Sequence, residues 1–200
     1  MKLYYSPGAC SLASHITLHE TGNKFDLVKV DLSSGQYDNG KDYKQINPHG
    51  NVPALQLDNG EIVTEGVAIM QYLADQTPAS NLAPANSTFE RTRLHERLNY
   101  LTTELHKSFS PLFHEKAEAE ITKAKLSVSN KLKYLDTLLA KREYLLGDNF
   151  SIADIYLFVI ANWTNFTGMS LKDWPNVARH SKQVASRKSA QQAMKAEGLI

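Results

Sequence analysis

The chain has 200 residues and a mass of 22.4 kDa, with 22 Lys and Arg against 21 Asp and Glu, a net charge of +1. Such a balance gives no overall field to attract nucleic acid or anionic lipid, and the longest clean apolar run, Tyr156 to Ala161, falls far short of the ~18 residues of a membrane span. A single cysteine, Cys10, excludes an intrachain disulfide framework or a cysteine-rich metal site, and Pro7-Gly8 breaks the place where an export signal needs its apolar segment, so a cytoplasmic protein is expected.

Lys2 to Tyr5 reads as a short strand stopped by Ser6-Pro7-Gly8. Ala9 to Glu20 has apolar residues at helical spacing, closed by Gly22-Asn23, and Phe25 to Leu32 alternates as a part-buried strand does. A polar stretch from Ser33 to Tyr43 follows. Val52 to Leu57 and Glu61-Ile62-Val63 flank Asp58-Asn59-Gly60, a hairpin signature, and Glu65 to Asp75 reads as a helix packed on it. This order defines an α/β layer over residues 1–80. After a Pro-, Ala- and Asn-rich linker, residues 87–200 read as all helix. Ser87 and Glu90 suggest a capping box for a long helix striped by Leu94, Leu98, Leu101, Leu105 and Phe109 and ending near Pro111. A second stripe runs from Ile121 to Leu139 in a helix that stops near Gly147. Ser151-Ile152-Ala153-Asp154 is another capping box, heading a helix to Trp163 that is apolar almost all round and so buried in a bundle. Pro175 suits the first turn of a further helix, and Ser189 to Ala196 a last one.

Four features invite a chemical reading. Cys10 falls at the start of the first helix, where unpaired amides lower a thiol pKa, although a lone cysteine is more often just a small apolar side chain. Ser11 offers a hydroxyl at the same point. Val52 precedes Pro53, which removes a ladder donor; a cis bond there would leave the Val52 backbone groups able to pair with an extended peptide, and an edge-strand proline is the plainer alternative. Glu65-Gly66 follows a strand and opens a helix, a combination suited to the zwitterionic end of an amino acid and also to ordinary helix initiation. Asn99, Thr103 and His106, at i, i+4 and i+7, form a polar face beside the leucine stripe. By contrast, Gly35 to Asp42 imitates a phosphate loop but has Asp42 where a magnesium-binding hydroxyl belongs. The seven histidines lack ligand spacing, so no metal is expected.

The blocks Met1 to Tyr5, Pro7 to Ser11, Asn47-Pro48, Val52 to Leu55, Thr64 to Leu73, Leu98-Asn99-Tyr100, Glu104 to Lys107, Pro111-Leu112-Phe113, Ser151 to Asp154 with Tyr156-Leu157-Phe158, and Glu197-Gly198-Leu199 together resemble the bacterial beta-class glutathione S-transferases over the full chain. The resemblance implies a thioredoxin-like N-terminal domain (1–80) that binds glutathione. It also implies an all-helical domain (87–200) forming the co-substrate pocket and dimer contacts. Cys10 and His106 would be catalytic. Glutathione would be bound by Cys10, Val52, Glu65, Gly66, Asn99, Thr103, Glu104, Leu105 and His106, some acting across a homodimer interface. The expected activity is transfer of the glutathione thiolate to an electrophilic, apolar co-substrate, with thiol-disulfide chemistry through Cys10 as a second possibility. Tyr5 is the rival thiol activator. A non-catalytic carrier of glutathione or apolar ligands is the alternative. Gly35 replaces a lysine common in the class, for which Lys41 or Lys44 could substitute, and Lys188 stands where related chains commonly carry a proline.

Overall fold

β1 (Lys2–Tyr5) and β2 (Asp26–Asp31) lie parallel, Leu3 beside Leu27, because α1 (Ser11–Glu20) carries the chain back between them. The computed structural model describes residues 1–114 and 117–200. β5 (Ala54–Gln56) pairs antiparallel with β1, and β6 (Ile62–Thr64) with β5, as the Asp58-Asn59-Gly60 turn requires. The Ser33–Tyr43 stretch, which reads as merely polar in sequence, contains a second small hairpin of β3 (Gln36–Tyr37) and β4 (Lys41–Asp42). The sheet order is β4-β3-β2-β1-β5-β6. Gly35 has φ +69°, a conformation that glycine adopts without penalty and lysine would not, and this turn feeds the hairpin. The would-be phosphate loop is therefore the β3–β4 hairpin.

Alternation along the strands sorts side chains to two faces. Leu3, Tyr5 and Leu55 pack with Leu18, Ile69 and Leu73 on one face. Tyr4, Val30, Tyr43, Val52 and Ala54 pack together on the other. α2 (Gly66–Gln76) covers the first face through Ile69, Met70, Leu73 and Ala74.

The chain divides into two compact units, Met1–Ala83 with Arg187–Ile200, and Pro84–Ser186. The sequence division at 87–200 thus differs at its end. α8 (Lys188–Ala196) packs on α1, where the Glu20 carboxylate receives both Arg187 Nε (2.7 Å) and Nη2 (3.0 Å) as well as the Ser189 hydroxyl. A helix goes where its apolar stripe and its ion pair find partners, and sequence order does not decide that.

In the second unit, α3 (Phe89–Asn99) begins one residue later than a Ser87 cap would place it. Thr88 is the cap, its Oγ1 accepting the Arg91 amide at 3.1 Å, while Ser87 has a left-handed φ of 65° that a capping residue does not use. The long helix does not end at Pro111. It passes through a π-helical segment, Tyr100–His106, into α4 (Lys107–His114), with Pro111 inside it. The widened π turn just before accommodates a residue that cannot donate. α5 (Glu118–Leu139) buries Val128, Leu132, Leu135 and Leu139 and stops before, not at, Gly147, which instead makes an isolated bridge with Tyr144. α6 (Ile152–Asn162) is buried along Ile152–Ala161, as its all-round apolarity requires. Its capping box is present, and Asp154 also accepts the Leu145 amide at 2.8 Å and faces His180 Nε2 at 3.0 Å. α7 (Pro175–Ala185) starts on its proline. Among the described residues no helix is long and apolar enough to cross a membrane.

Candidate functional site

Cys10 is at the N-cap of α1, with φ −58° and ψ −20°, one residue before the helix rather than inside it. It is half-buried, and its Sγ–H donates to the Val52 carbonyl at 3.3 Å. The Val52-Pro53 bond is cis, and the Val52 carbonyl is thus already engaged by the thiol. Burial pushes the Cys10 thiol up to about 11. The amides of Cys10 and Ser11 pull it part of the way back, and the negative charge of Glu65 adds to the rise. The expectation of a lowered pKa at this helix start is corrected: two amides do not offset desolvation of the charged form together with a nearby carboxylate.

Ser11 does not offer an uncommitted hydroxyl. Its buried Oγ donates to the Ser6 carbonyl and accepts the Ser6 amide, each at 3.2 Å, so it closes the Pro7-Gly8 turn. Tyr5 is 8% exposed and packed in the core, and burial, then Glu197, raise its hydroxyl pKa above 10.0. That position argues against Tyr5 as the thiol activator. The same turn is held from the other side. Buried Glu197 accepts the Gly8 amide at 2.9 Å on Oε2 and faces His15 Nδ1 at 2.9 Å on Oε1. Nothing local to Glu197 in the sequence announces a contact 189 residues away.

Glu65 is exposed at the N-cap of α2 with φ 65° and ψ 110°, and its side chain makes no cap bond. Helix initiation does not explain that geometry. A non-glycine residue held at positive φ costs roughly 1–3 kcal/mol, a strain that clusters at binding and catalytic sites. Gly66 follows, close to Pro53, whose Cγ would lie 3.5 Å from an added Cβ.

In the helical unit, Asn99 ends α3, and Thr103, Glu104, Leu105 and His106 belong to the π segment. Its i→i+5 register breaks the polar face expected of a plain α-helix. Asn99 and Thr103 stay exposed, with the Thr103 hydroxyl donating to the Asn99 carbonyl at 2.9 Å, whereas His106 turns partly inward. Glu104 pairs with Lys131 at 3.4 Å, and the Leu105 side chain is buried. His106 Nδ1 lies 2.6 Å from the Tyr156 hydroxyl, and its ring meets Trp163 edge-on at 4.8 Å. Burial, then Lys107, pushes the His106 pKa down to about 4. Among the described residues no group of three His, Cys, Asp or Glu is arranged to hold a metal ion. Of the two cations that could stand in for the missing lysine at position 35, Lys41 is paired with Asp38 at 3.2 Å.

A thioredoxin-like unit carrying a cysteine at a helix start and a cis proline beside it, joined in one chain to an all-helical unit, is the architecture of a glutathione transferase. Residues 1–75 match the family model for the glutathione S-transferase N-terminal domain, and residues 97–188 that for its C-terminal domain. The chain is 47% identical over 201 residues to glutathione S-transferase GstA of Escherichia coli O157:H7, covering all of both chains. Among solved structures it resembles the beta-class glutathione S-transferase of Sphingomonas chungbukensis with a TM-score of 0.97 and 47% identity, over all of both chains. It is also similar to a sphingomonad glutathione S-transferase complexed with glutathione, with a TM-score of 0.96, 47% identity and the same full coverage. The chain belongs to the glutathione S-transferase family, in its bacterial beta class.

Proposed function

We propose that this glutathione transferase holds its tripeptide along the head of α1. Cys10 lies beside the glutathione sulfur, the Val52 backbone pairs with the cysteinyl unit, and Glu65 with Gly66 binds the γ-glutamyl end. The reading rests on one observation: the Cys10 thiol donates to Val52 while Glu65 is held at φ 65° without capping its helix. Asn99, Thr103, Glu104, Leu105 and His106 complete the site from the helical domain in a cytoplasmic homodimer, as the family resemblance implies.

The chemistry follows from the thiol. A glutathione thiol near 8.5 is only a few per cent ionised at pH 7, so the protein must favour the anion with donors. The donors here are the amides at the head of α1, His106, and the Cys10 S–H once it turns from the Val52 carbonyl to the ligand. The thiolate attacks an electrophilic carbon of an apolar co-substrate, forming the S–C bond as the leaving group departs with its electron pair, and proximity supplies the other large contribution. With Cys10 a thiol at neutral pH, its role in this conjugation is to donate. Its own attack on a disulfide is the second chemistry.

The test compares wild type with Cys10→Ala in conjugation to an aryl halide and in reduction of a mixed disulfide, after glutathione binding is verified for each. Disulfide reduction should vanish in the variant while conjugation falls only about tenfold, the rate equivalent of one ordinary hydrogen bond of about 1.4 kcal/mol. Wild type that binds glutathione yet turns over neither substrate would overturn the reading.

A further inference from the structure

His106 has a partner that its own segment does not reveal. Tyr156, on α6 and only 4% exposed, places its hydroxyl 2.6 Å from Nδ1. The Trp163 indole stands against the imidazole, and Phe109 and Phe113 meet that indole edge-on at 5.7 and 5.4 Å. With one edge on a phenol and one side on an indole, the ring has Nε2 left to present. It is neutral at pH 7, because burial and Lys107 hold its pKa well below that of a free imidazole, and a neutral imidazole has one donor nitrogen and one acceptor.

Two arrangements satisfy a short contact between Nδ1 and a phenol. In one the phenol donates and Nε2 carries the proton; in the other Nδ1–H donates and Nε2 keeps a lone pair. A phenol is the more acidic donor, and a bare imidazole nitrogen the more basic acceptor, so the first makes the stronger bond.

We propose that Tyr156 is a positioning residue which, by donating to Nδ1, keeps His106 in the Nε2–H tautomer. His106 is thereby a hydrogen-bond donor to the glutathione sulfur and not the base that removes its proton. This rests on the reading above that His106 acts at that sulfur. The thiol proton leaves to solvent, the S–C bond forms as the leaving group departs, and the Nε2–H bond is neither made nor broken.

Long-range proton–nitrogen NMR of enzyme carrying ¹⁵N-histidine, with the His106 signals assigned by their loss in His106→Gln, reads the tautomer directly. In wild type at pH 7, Nε2 should be protonated and Nδ1 bare. Tyr156→Phe should give a mixture of tautomers and lower kcat for conjugation about tenfold, with KM for glutathione changed less than about twofold, a loss confined to the transition state. His106→Gln, whose amide nitrogen reaches the Nε2 position, should keep several times the activity of His106→Asn, whose amide reaches Nδ1. A protonated Nδ1 in wild type overturns the proposal, as does Tyr156→Phe with unchanged tautomer and kcat, or Asn outperforming Gln. The wild-type spectrum decides even where the phenylalanine variant folds poorly. Wild-type activity in both His106 variants would instead remove His106 from the reaction, while the spectrum still reports whether Tyr156 sets the ring.

Discussion

Cys10 and His106 are displaced from their ordinary pKa values in opposite directions by the same cause. Burial disfavours the charged form, which is the thiolate in one case and the imidazolium in the other. For Cys10 the consequence is low intrinsic reactivity. Alkylation of the ligand-free enzyme by iodoacetamide at pH 7 should be slower than that of a free thiol, with a rate still climbing above pH 9. For His106 the consequence concerns stability. Its folded pKa lies below the unfolded value of about 6.5, so the unfolded chain binds the extra proton between those values and stability falls as pH drops from about 6.5 towards 4. His106→Gln should flatten that part of the stability–pH curve, measured by urea unfolding at a series of pH values. Glu65 supplies a different test. Glu65→Gly removes the carboxylate and relieves the positive φ, so it should raise KM for glutathione by tenfold or more while leaving stability equal or about 1 kcal/mol higher. A loss of both would mean that the carboxylate matters for folding instead.

At its N-terminus α6 carries a concentrated set of polar interactions in an apolar setting. Asp154 receives the Leu145 and Ser151 amides and the Ser151 hydroxyl and faces His180, with no solvent to replace any of them. Asp154→Ala should cost about 3–5 kcal/mol, because it leaves a buried histidine and two amides without an acceptor. Thermal unfolding checks the loss, and Asp154→Asn, which keeps part of the acceptor set, should recover some of it. This capping box is legible in the sequence because it is local: Ser, two apolar residues and Asp before an apolar run. The π segment is not legible in the same way. Tyr100–His106 has ordinary helical periodicity, and the change of register shows only once His106 is placed against Tyr156, fifty residues away. Pro111 misled for the same reason, since a proline tolerated after a widened turn looks in sequence like a helix end.

At the level of the whole chain, the last fourteen residues belong with the first unit. The Arg187–Glu20 pair and the contact of Ser189 with the same carboxylate hold them there. Burial would raise the Glu20 pKa, but the Arg187 and Ser189 hydrogen bonds outweigh it and bring it below 4.5. A depressed carboxylate stabilises above its unfolded pKa, so this contribution is present at neutral pH and is lost as pH falls through the folded value. Glu20→Gln should lower stability by about 1–2 kcal/mol at pH 7, as expected for a bidentate arginine pair, and the difference should shrink as pH falls through the folded pKa. Deleting residues 187–200 should raise amide exchange in α1 and β1 while leaving α5 and α6 protected. Equal deprotection of all four would contradict the division into units.

Local and periodic features are legible in the residues alone. The Ser6-Pro7-Gly8 turn marks the end of β1, alternation marks β2, the Asp58-Asn59-Gly60 turn marks the β5–β6 hairpin, 3.6-residue stripes mark the helices, and the serine-to-aspartate box marks the start of α6. Cys10, Val52-Pro53 and Glu65-Gly66 were legible because each sits at a junction that short-range residue chemistry announces. Tertiary structure alone decided the rest: the raised pKa of Cys10, the closure of the Pro7-Gly8 turn by Glu197, the pairing of His106 with Tyr156, and the return of α8 to α1. Each of these depends on desolvation or on a partner distant in the chain. Neighbouring residues set backbone propensity, whereas the free energy of a charge or a proton is set by whatever the fold brings within a few ångströms of it.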